Sequence, residues 1–286
     1  HNVSLAVQAE YYPRPFLSAL FEDSLAYGID LMNLGRKSLP WVNLVAGAID
    51  VADSLAAIKK LVFDEKKIDM AKLHEVLKNN WEGYEEVRQM FINDAPKFGN
   101  DDDYVDTIAT RDVFHMVADE MKQVKDIWGV SPKQLPQAVT GAWSQGWLTA
   151  AMPNGRKATT VLSDGGVSPY YGFDKKGPTA VLMSVSKIDH TRTKGALLNQ
   201  RLDPHVLQSA KGPELFLSYL KTWYDLKIDH VQFNVVDNET LRAAQKEPEK
   251  YADLMVRVAG YSALFVELPK EYQDAIIART SQELNY

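Results

Sequence analysis

Cysteine is absent from all 286 residues. That excludes disulfides, thiolate metal sites and a cysteine nucleophile within this chain. An excess of basic charge is missing too. Lys and Arg number 32 against 38 Asp and Glu, a formal net charge of -6 with both signs interspersed. Nothing resembles a nucleic-acid-binding stripe. No apolar run approaches the roughly 18 residues of a membrane span. The start, His1-Asn2-Val3-Ser4, has no charged n-region and no apolar h-region of a secretory signal. It also lacks an initiator Met, as a processed chain or a fragment would. What remains is globular material, 45% hydrophobic and 24% charged. It is enough for one large domain or two smaller ones.

The first half carries helical periodicity. Phe16, Leu17, Leu20, Phe21 and Leu25 recur at helical spacing, with Gly28 placed to cap. Ala46 to Phe63 predicts a second helix, and Asp69 the cap of a third. Tyr84 to Ile92 and Val105 to Trp128 predict two more. From Gly129 to about Pro204, Gly, Pro, Ser and Asp become frequent, and sites tend to lie in such loop-rich stretches. Pro178 to Ile188 is a plausible helix within it. Strand–helix alternation follows: a helix over 213–226, a strand over 230–236, a helix over 239–251, a strand over 254–258 and a closing helix over 269–279. Pro269 suits the first turn of that helix. The alternation argues α/β.

Several motifs fail on spacing. His74-Glu75 has no second histidine four residues after the first, so the zinc-protease pattern is absent. Asp101-Asp102-Asp103 lacks the distal Glu of a calcium loop and reads as a solvated turn and helix start. Gly155-Arg156-Lys157 is not a phosphate loop, and Gly165-Gly166 does not open a dinucleotide fingerprint. His115 and His230 read as ordinary helix and strand residues. No metal site is expected.

One segment stands apart: Val256-Arg257-Val258-Ala259-Gly260-Tyr261-Ser262-Ala263-Leu264-Phe265. By pattern alone it is a strand broken by a glycine at a bulge or turn. With the Phe-Val-Glu-Leu and Gln-Asp-Ala-Ile-Ile-Ala-Arg-Thr that follow, it resembles the radical loop of glycyl radical enzymes. Upstream segments resemble the family in order. They are His230-Val-Gln-Phe-Asn-Val-Val-Asp, Gly177-Pro-Thr-Ala-Val with Leu198-Asn-Gln, Pro153-Asn-Gly-Arg-Lys-Ala, and Leu162-Ser-Asp-Gly-Gly-Val-Ser-Pro. In the first half, Val51-Ala-Asp-Ser-Leu and Lys97-Phe-Gly-Asn-Asp continue the match, so the resemblance covers nearly the whole chain.

The resemblance implies the C-terminal half of a ten-stranded α/β barrel surrounded by helices, with the radical loop inserted in its centre. It implies barrel-domain sequence over 1–165 and a glycyl radical domain over 166–286. Gly260 would store the radical, flanked by Arg257, Val258, Ala259, Tyr261, Ser262 and Ala263. Such a carbon radical is delocalised by the amide nitrogen on one side and the carbonyl on the other. Glycine, lacking Cβ, tolerates the flat geometry this needs. Val258, Ala259 and Phe265 would exclude water, while Tyr261 and Ser262 would pack and hydrogen-bond the loop. By resemblance, a radical-SAM activating enzyme with a 4Fe-4S cluster installs the radical, and no bound cofactor is needed. A cysteine then relays it to substrate. This chain has none, so an N-terminal portion or a separate chain must supply it. A cytoplasmic location in an anaerobe and a homodimer, with or without small accessory subunits, are further implications.

The substrate is less legible. Leu135-Pro-Gln137-Ala-Val139 is expected to be the barrel strand lining the pocket, with Gln137 and Val139 nearest the substrate. A glutamine where dehydratases tend to carry tyrosine is similar to the branch that adds hydrocarbons to fumarate. A Gln that merely satisfies backbone groups fits equally well. Trp41 and Asn43 are further pocket candidates; Trp41 would wall an apolar pocket or belong to the core, and Trp143 and Trp147 share that ambiguity. The expectation is radical C–C chemistry on a bulky apolar or aromatic substrate, aryl- or alkylsuccinate synthase first. Arylacetate decarboxylase, a diol-type dehydratase or C–X lyase, and a non-catalytic radical carrier are the alternatives.

Overall fold

The computed structural model describes residues 2–34, 42–138 and 140–282. Trp41 and Val139 therefore lie outside the described residues. The chain opens with three short helices, α1 (Asn2–Tyr11), α2 (Pro15–Ser18) and α3 (Glu22–Tyr27). The single helix expected over 16–25 is broken after Ser18. Gly28 does cap α3, in the left-handed conformation. Phe16, Leu20 and Leu25 are 80%, 68% and 67% exposed. Their helical spacing is real, but no described element covers that apolar stripe, so it does not hold one straight helix together.

Strand β1 (Val42–Leu44) leads into α4 (Ala48–Ala57), which continues as a π-helical stretch to Asp64. Asp69 caps α5 (Met70–Lys78), its carboxylate accepting from the Lys72 N–H at 2.7 Å. Next come α6 (Glu85–Asn93) and α7 (Asp103–Thr107), the latter capped by Asp102. A second π-helical stretch (Ile108–His115) joins α7 to α8 (Met116–Gln123), so this helix stops five residues before Trp128. Ala48, Ala52 and Ala56 are fully or nearly fully buried and share a core with Ile108, Ala109 and Val113. Small side chains on α4 let the two helices approach closely.

The second half places β2 (Lys133–Leu135), α9 (Gly141–Leu148), α10 (Pro178–Ser186), β3 (Asn199–Leu202), α11 (Pro204–Gln208) and α12 (Gly212–Asp225) in turn. Strand β4 (Gln232–Val235), α13 (Asn238–Lys246), β5 (Met255–Arg257), β6 (Ser262–Leu264), α14 (Lys270–Ala278) and β7 (Ser281–Gln282) complete the order. Pro269 is the N-cap of α14, one position earlier than expected. Strand β1 pairs parallel with β2, and β3 pairs parallel with both β4 and β7. Two parallel sheets, β1–β2 and β4–β3–β7, covered by helices, fit the partial α/β barrel the sequence implied. Strands β5 and β6 are different. They form an antiparallel hairpin of their own.

The β3–β4 pair shows how the hairpin is received. In register, Asn199 lies opposite Gln232 and Arg201 opposite Asn234. Period-two alternation puts these four polar residues on one face. On the other face Phe233 meets Phe216 and Tyr219 of α12 edge-on, at 5.3 and 5.8 Å between ring centroids. The apolar face is the helix-covered outside, and the polar face takes the hairpin.

Candidate functional site

The hairpin turns at Ala259–Gly260. The Val258 N–H donates to the Tyr261 carbonyl at 2.9 Å, leaving those two residues as the loop. Gly260 has φ +78°, a left-handed value that suits glycine. Its neighbours Val258 and Ala259 are 2% and 1% exposed, and Phe265 is fully buried. Gly260 itself is exposed in this chain. Tyr261 packs with Val256, Phe265 and Ile276 in the apolar cluster beneath the hairpin. Ser262 Oγ accepts from Arg257 Nη1 at 3.2 Å, and Ala263 sits opposite Val256 in the hairpin ladder.

The hairpin is held to the rest of the protein by side chains rather than by a strand ladder. Asn234 brackets Arg257: its Nδ2 donates to the Arg257 carbonyl and its Oδ1 accepts the Arg257 N–H, both at 2.7 Å. Arg279, 9% exposed at the end of α14, forks inward. Nη1 donates to the Arg257 carbonyl at 2.9 Å and Nη2 to the Val258 carbonyl at 2.5 Å. Nε pairs with Asp164 Oδ2 at 2.5 Å. The other carboxylate oxygen of Asp164 accepts from Asn199 Nδ2 at 2.8 Å, and the same Nδ2 lies 3.3 Å from the Val258 carbonyl. Asn199 Oδ1 in turn accepts from Gln232 Nε2. Gln232 Oε1 then takes the Gly260 N–H at 3.2 Å, together with Arg257 Nη2 at 3.2 Å.

Asp164 is placed from below. Asp50, wholly buried on α4, accepts both the Ser163 N–H and the Ser163 hydroxyl on Oδ2, at 2.8 and 2.7 Å, and Asn154 Nδ2 on Oδ1. Burial pushes the Asp50 carboxyl above its ordinary range, and the Ser163 donors oppose that. Just after Asp164, Gly166 crosses directly under Pro136. A Cβ there would overlap the Pro136 carbonyl and stand 2.8 Å from the Gln137 nitrogen. This crossing, with the Ala138 N–H donating to the Gly165 carbonyl at 2.6 Å, sets the path of residues 136–138. They run past the end of β2 and are not part of a strand, so of the strand expected over 135–139 Leu135 lies in β2, residues 136–138 do not, and Val139 is outside the described residues. Pro136 has no N–H to continue a ladder.

Gln137 arrives at the hairpin. Its Nε2 is 3.2 Å from the point a Cβ on Gly260 would occupy, and Leu197 Cδ1 is 3.4 Å from it. Asn43 does not join this group. Its Nδ2 sits 3.8 Å from Met121 Sδ, on the α8 side of β1. Trp143 packs on Tyr272 with ring centroids 5.7 Å apart. Trp147 is 58% exposed. Sequence reasoning did not single out Asp164, Asn199, Gln232, Asn234 and Arg279, although each falls inside a segment that carried the resemblance. The available signal was polar residues two apart in a parallel strand, Gln232 and Asn234, where apolar ones are the rule.

Comparison with known proteins agrees with this geometry. A family model described as pyruvate formate lyase-like matches residues 1–142, and one described as glycine radical matches 163–266. The trans-4-hydroxy-L-proline dehydratase of Clostridioides difficile is 39% identical, over 96% of this chain and 34% of its own length. An isethionate sulfite-lyase of Oleidesulfovibrio alaskensis is 41% identical, over 97% and 34%. The solved B12-independent glycerol dehydratase from Clostridium butyricum superposes with a TM-score of 0.90 at 40% identity, covering 99% of this chain and 36% of that one. The chain belongs to the glycyl radical enzymes. It corresponds to the C-terminal part of its relatives and spans about a third of their length.

Proposed function

We propose that this chain is the radical-storing part of a glycyl radical enzyme and that Gly260 carries the radical. The observation that carries this is the setting of Gly260. It sits in a left-handed turn at the tip of a hairpin, its N–H is held by Gln232, and the two residues before it, Val258 and Ala259, are buried. Removal of one Cα hydrogen leaves an unpaired electron between an amide nitrogen that donates and a carbonyl that withdraws. The bracing of Arg257 and Val258 by Asn234 and Arg279 keeps the approach to that peptide fixed. Gly260 is exposed here, so a further portion of the enzyme must cover it, and that portion brings the cysteine. The thiol gives its hydrogen atom to the glycyl carbon, and the resulting thiyl takes one from substrate. We place the division between barrel sequence and glycyl radical domain near residue 165, at the Gly165–Gly166 crossing.

For the reaction we favour radical elimination of a leaving group, water or sulfite, from a small substituted alcohol or amino acid. The relatives reported above are named as dehydratases and a sulfite-lyase, names that describe loss of water or of sulfite. The case for hydrocarbon addition leaned on Gln137, and Gln137 lies against the radical loop. A glutamine engaged there says little about what fills the substrate pocket. The activating enzyme, its iron–sulfur cluster and a homodimeric assembly belong to the same proposal.

The test is anaerobic activation of the full-length enzyme. Wild type should give a glycyl electron paramagnetic resonance doublet, split by the one remaining α-hydrogen, and Gly260→Ala should give none. Gly260→Ala should fold, since the left-handed backbone costs an alanine about 1–2 kcal/mol and Gln137 Nε2 can shift. A normal doublet in Gly260→Ala ends the assignment. Activated enzyme should dehydrate or desulfonate members of a panel of hydroxyproline, diols and isethionate. Turnover of toluene with fumarate, and of none of that panel, would restore hydrocarbon addition.

A further inference from the structure

The hydrogen bonds around Gly260 have a direction, and a carboxylate sets it. Asp164 is buried and can only accept when ionised, as its ion pair with Arg279 requires. It therefore takes the NH2 group of Asn199, on Oδ1 at 2.8 Å. That turns Asn199 Oδ1 toward Gln232, which must present its own NH2 group to it. Gln232 Oε1 is then left facing the hairpin, where the Gly260 N–H donates to it at 3.2 Å. The guanidinium of Arg257 donates to the same oxygen at 3.2 Å, which independently demands that an oxygen stand there. Asn199, Gln232 and Asp164 are 7%, 6% and 5% exposed, so water does not substitute for any of them easily.

The geometry points to Gln232 as a positioning residue for the radical, oriented through Asn199 by Asp164. This rests on Gly260 being the radical residue. The physical reason lies in the radical's electronics. The unpaired electron on the glycyl carbon is stabilised by donation from the adjacent nitrogen. An acceptor on that N–H increases the donation and holds the Ala259–Gly260 peptide in the plane that permits it. A donor in the same place would do the reverse and would leave the N–H unmet. Gln232 is thus the group that tunes spin density between nitrogen and carbon, while Asn199 and Asp164 keep its oxygen turned the right way.

The experiment compares wild type, Gln232→Glu and Gln232→Leu in the full-length enzyme, activated anaerobically, with ordinary and 15N-labelled glycine. Gln232→Glu, protonated on the oxygen that faces Asn199 Oδ1, keeps both the donor to Asn199 and an oxygen at the N–H, and Gln232→Leu removes both. Gln232→Leu should shift the nitrogen hyperfine coupling and shorten the anaerobic lifetime of the radical by about fivefold, the factor one neutral hydrogen bond carries. Gln232→Glu should keep a lifetime near wild type. The Asp164→Asn/Arg257→Met double variant, which removes both groups that dictate the amide orientation, should change the coupling in the same sense as Gln232→Leu. A merely structural role would lower the radical yield but leave the hyperfine pattern of the surviving radical unchanged, and that result overturns the inference. Absence of any radical in wild type would instead overturn the assignment of Gly260.

Discussion

Arg279→Met is the substitution that tests how the hairpin is held. The arginine contributes three charge-assisted contacts, to Asp164 and to the Arg257 and Val258 carbonyls. Two of its acceptors have a second donor. Asn234 Nδ2 reaches the Arg257 carbonyl at 2.7 Å, and Asn199 Nδ2 reaches the Val258 carbonyl at 3.3 Å. The dominant loss is therefore at Asp164, left as a buried carboxylate without its countercharge. Breaking one side of a buried pair costs about 3–5 kcal/mol. The hairpin has its own strand pairing and shares its apolar cluster with α13 and α14, so it can open together with them without unfolding β1–β4. A 3–5 kcal/mol cost confined to that opening should speed amide exchange in peptides spanning 254–264 by about 10²–10⁴-fold. Exchange in α4 and α5 should stay within a few-fold of wild type. The Asp164→Asn/Arg279→Met double variant removes the stranded charge and should recover a large part of the loss. Exchange that rises less than tenfold in the hairpin, or equally everywhere, refutes the view that this ion pair is the hairpin's anchor. So does a double variant no better than Arg279→Met.

Gly166→Ala should be costly, because its φ of +143° is open to glycine almost alone and the new Cβ meets the backbone of Pro136. A loss of about 3 kcal/mol or more is expected. Gly28→Ala, also left-handed but with nothing within 4 Å, is the control and should lose about 1 kcal/mol by thermal unfolding. Asp174 gives a pH dependence. Burial raises its carboxyl from 3.8 to about 6, against donors from Thr280 and Gln282. The folded state therefore binds this proton more tightly than the unfolded one, and stability should rise as pH falls from 7 toward 4. The contribution is up to about 3 kcal/mol, from roughly two pH units at 1.36 kcal/mol each. Asp174→Asn should flatten that slope. Parallel stability–pH curves for the two proteins between pH 4.5 and 7.5 would rule it out.

The helices of the first half show where local pattern suffices. Asp69 and Asp102 cap the helices that follow them, and a cap needs only a side chain three or fewer residues from the N–H it accepts. The stripe Phe16–Leu25 shows where it does not. Its period is helical, but a helix that short depends on a partner, and no described element supplies one. Pro269, at the N-cap, and residues 136–138 mark smaller departures, the latter decided by Pro136, which lacks the N–H a ladder needs.

The glycine at the centre of the site was legible from the run around Gly260, since that run reads as one continuous segment. Gln137, expected nearest the substrate, lies with its Nε2 3.2 Å from where a Cβ on Gly260 would stand, a contact no local pattern announces. Trp41 and Val139 lie outside the described residues. Asn43 turned toward Met121 because a three-residue strand next to a helix gives its middle residue only two faces. The brace of Asp164, Asn199, Gln232, Asn234 and Arg279 draws on positions as far as 115 residues apart. No spacing rule connects residues at that distance.

The sequence by itself determined the helical periods, the caps, the alternating strands, the lack of any thiol and the glycine whose surrounding run resembles the radical loop. Each of these depends on residues close enough in the chain to act through local geometry. Tertiary structure alone decided that the polar face of β3–β4 looks inward, that an ion pair from two distant loops grips the hairpin, and that a row of amides ends with an oxygen on the Gly260 N–H. Those depend on strand register and on the crossing at Gly166, which bring together groups that the chain holds far apart.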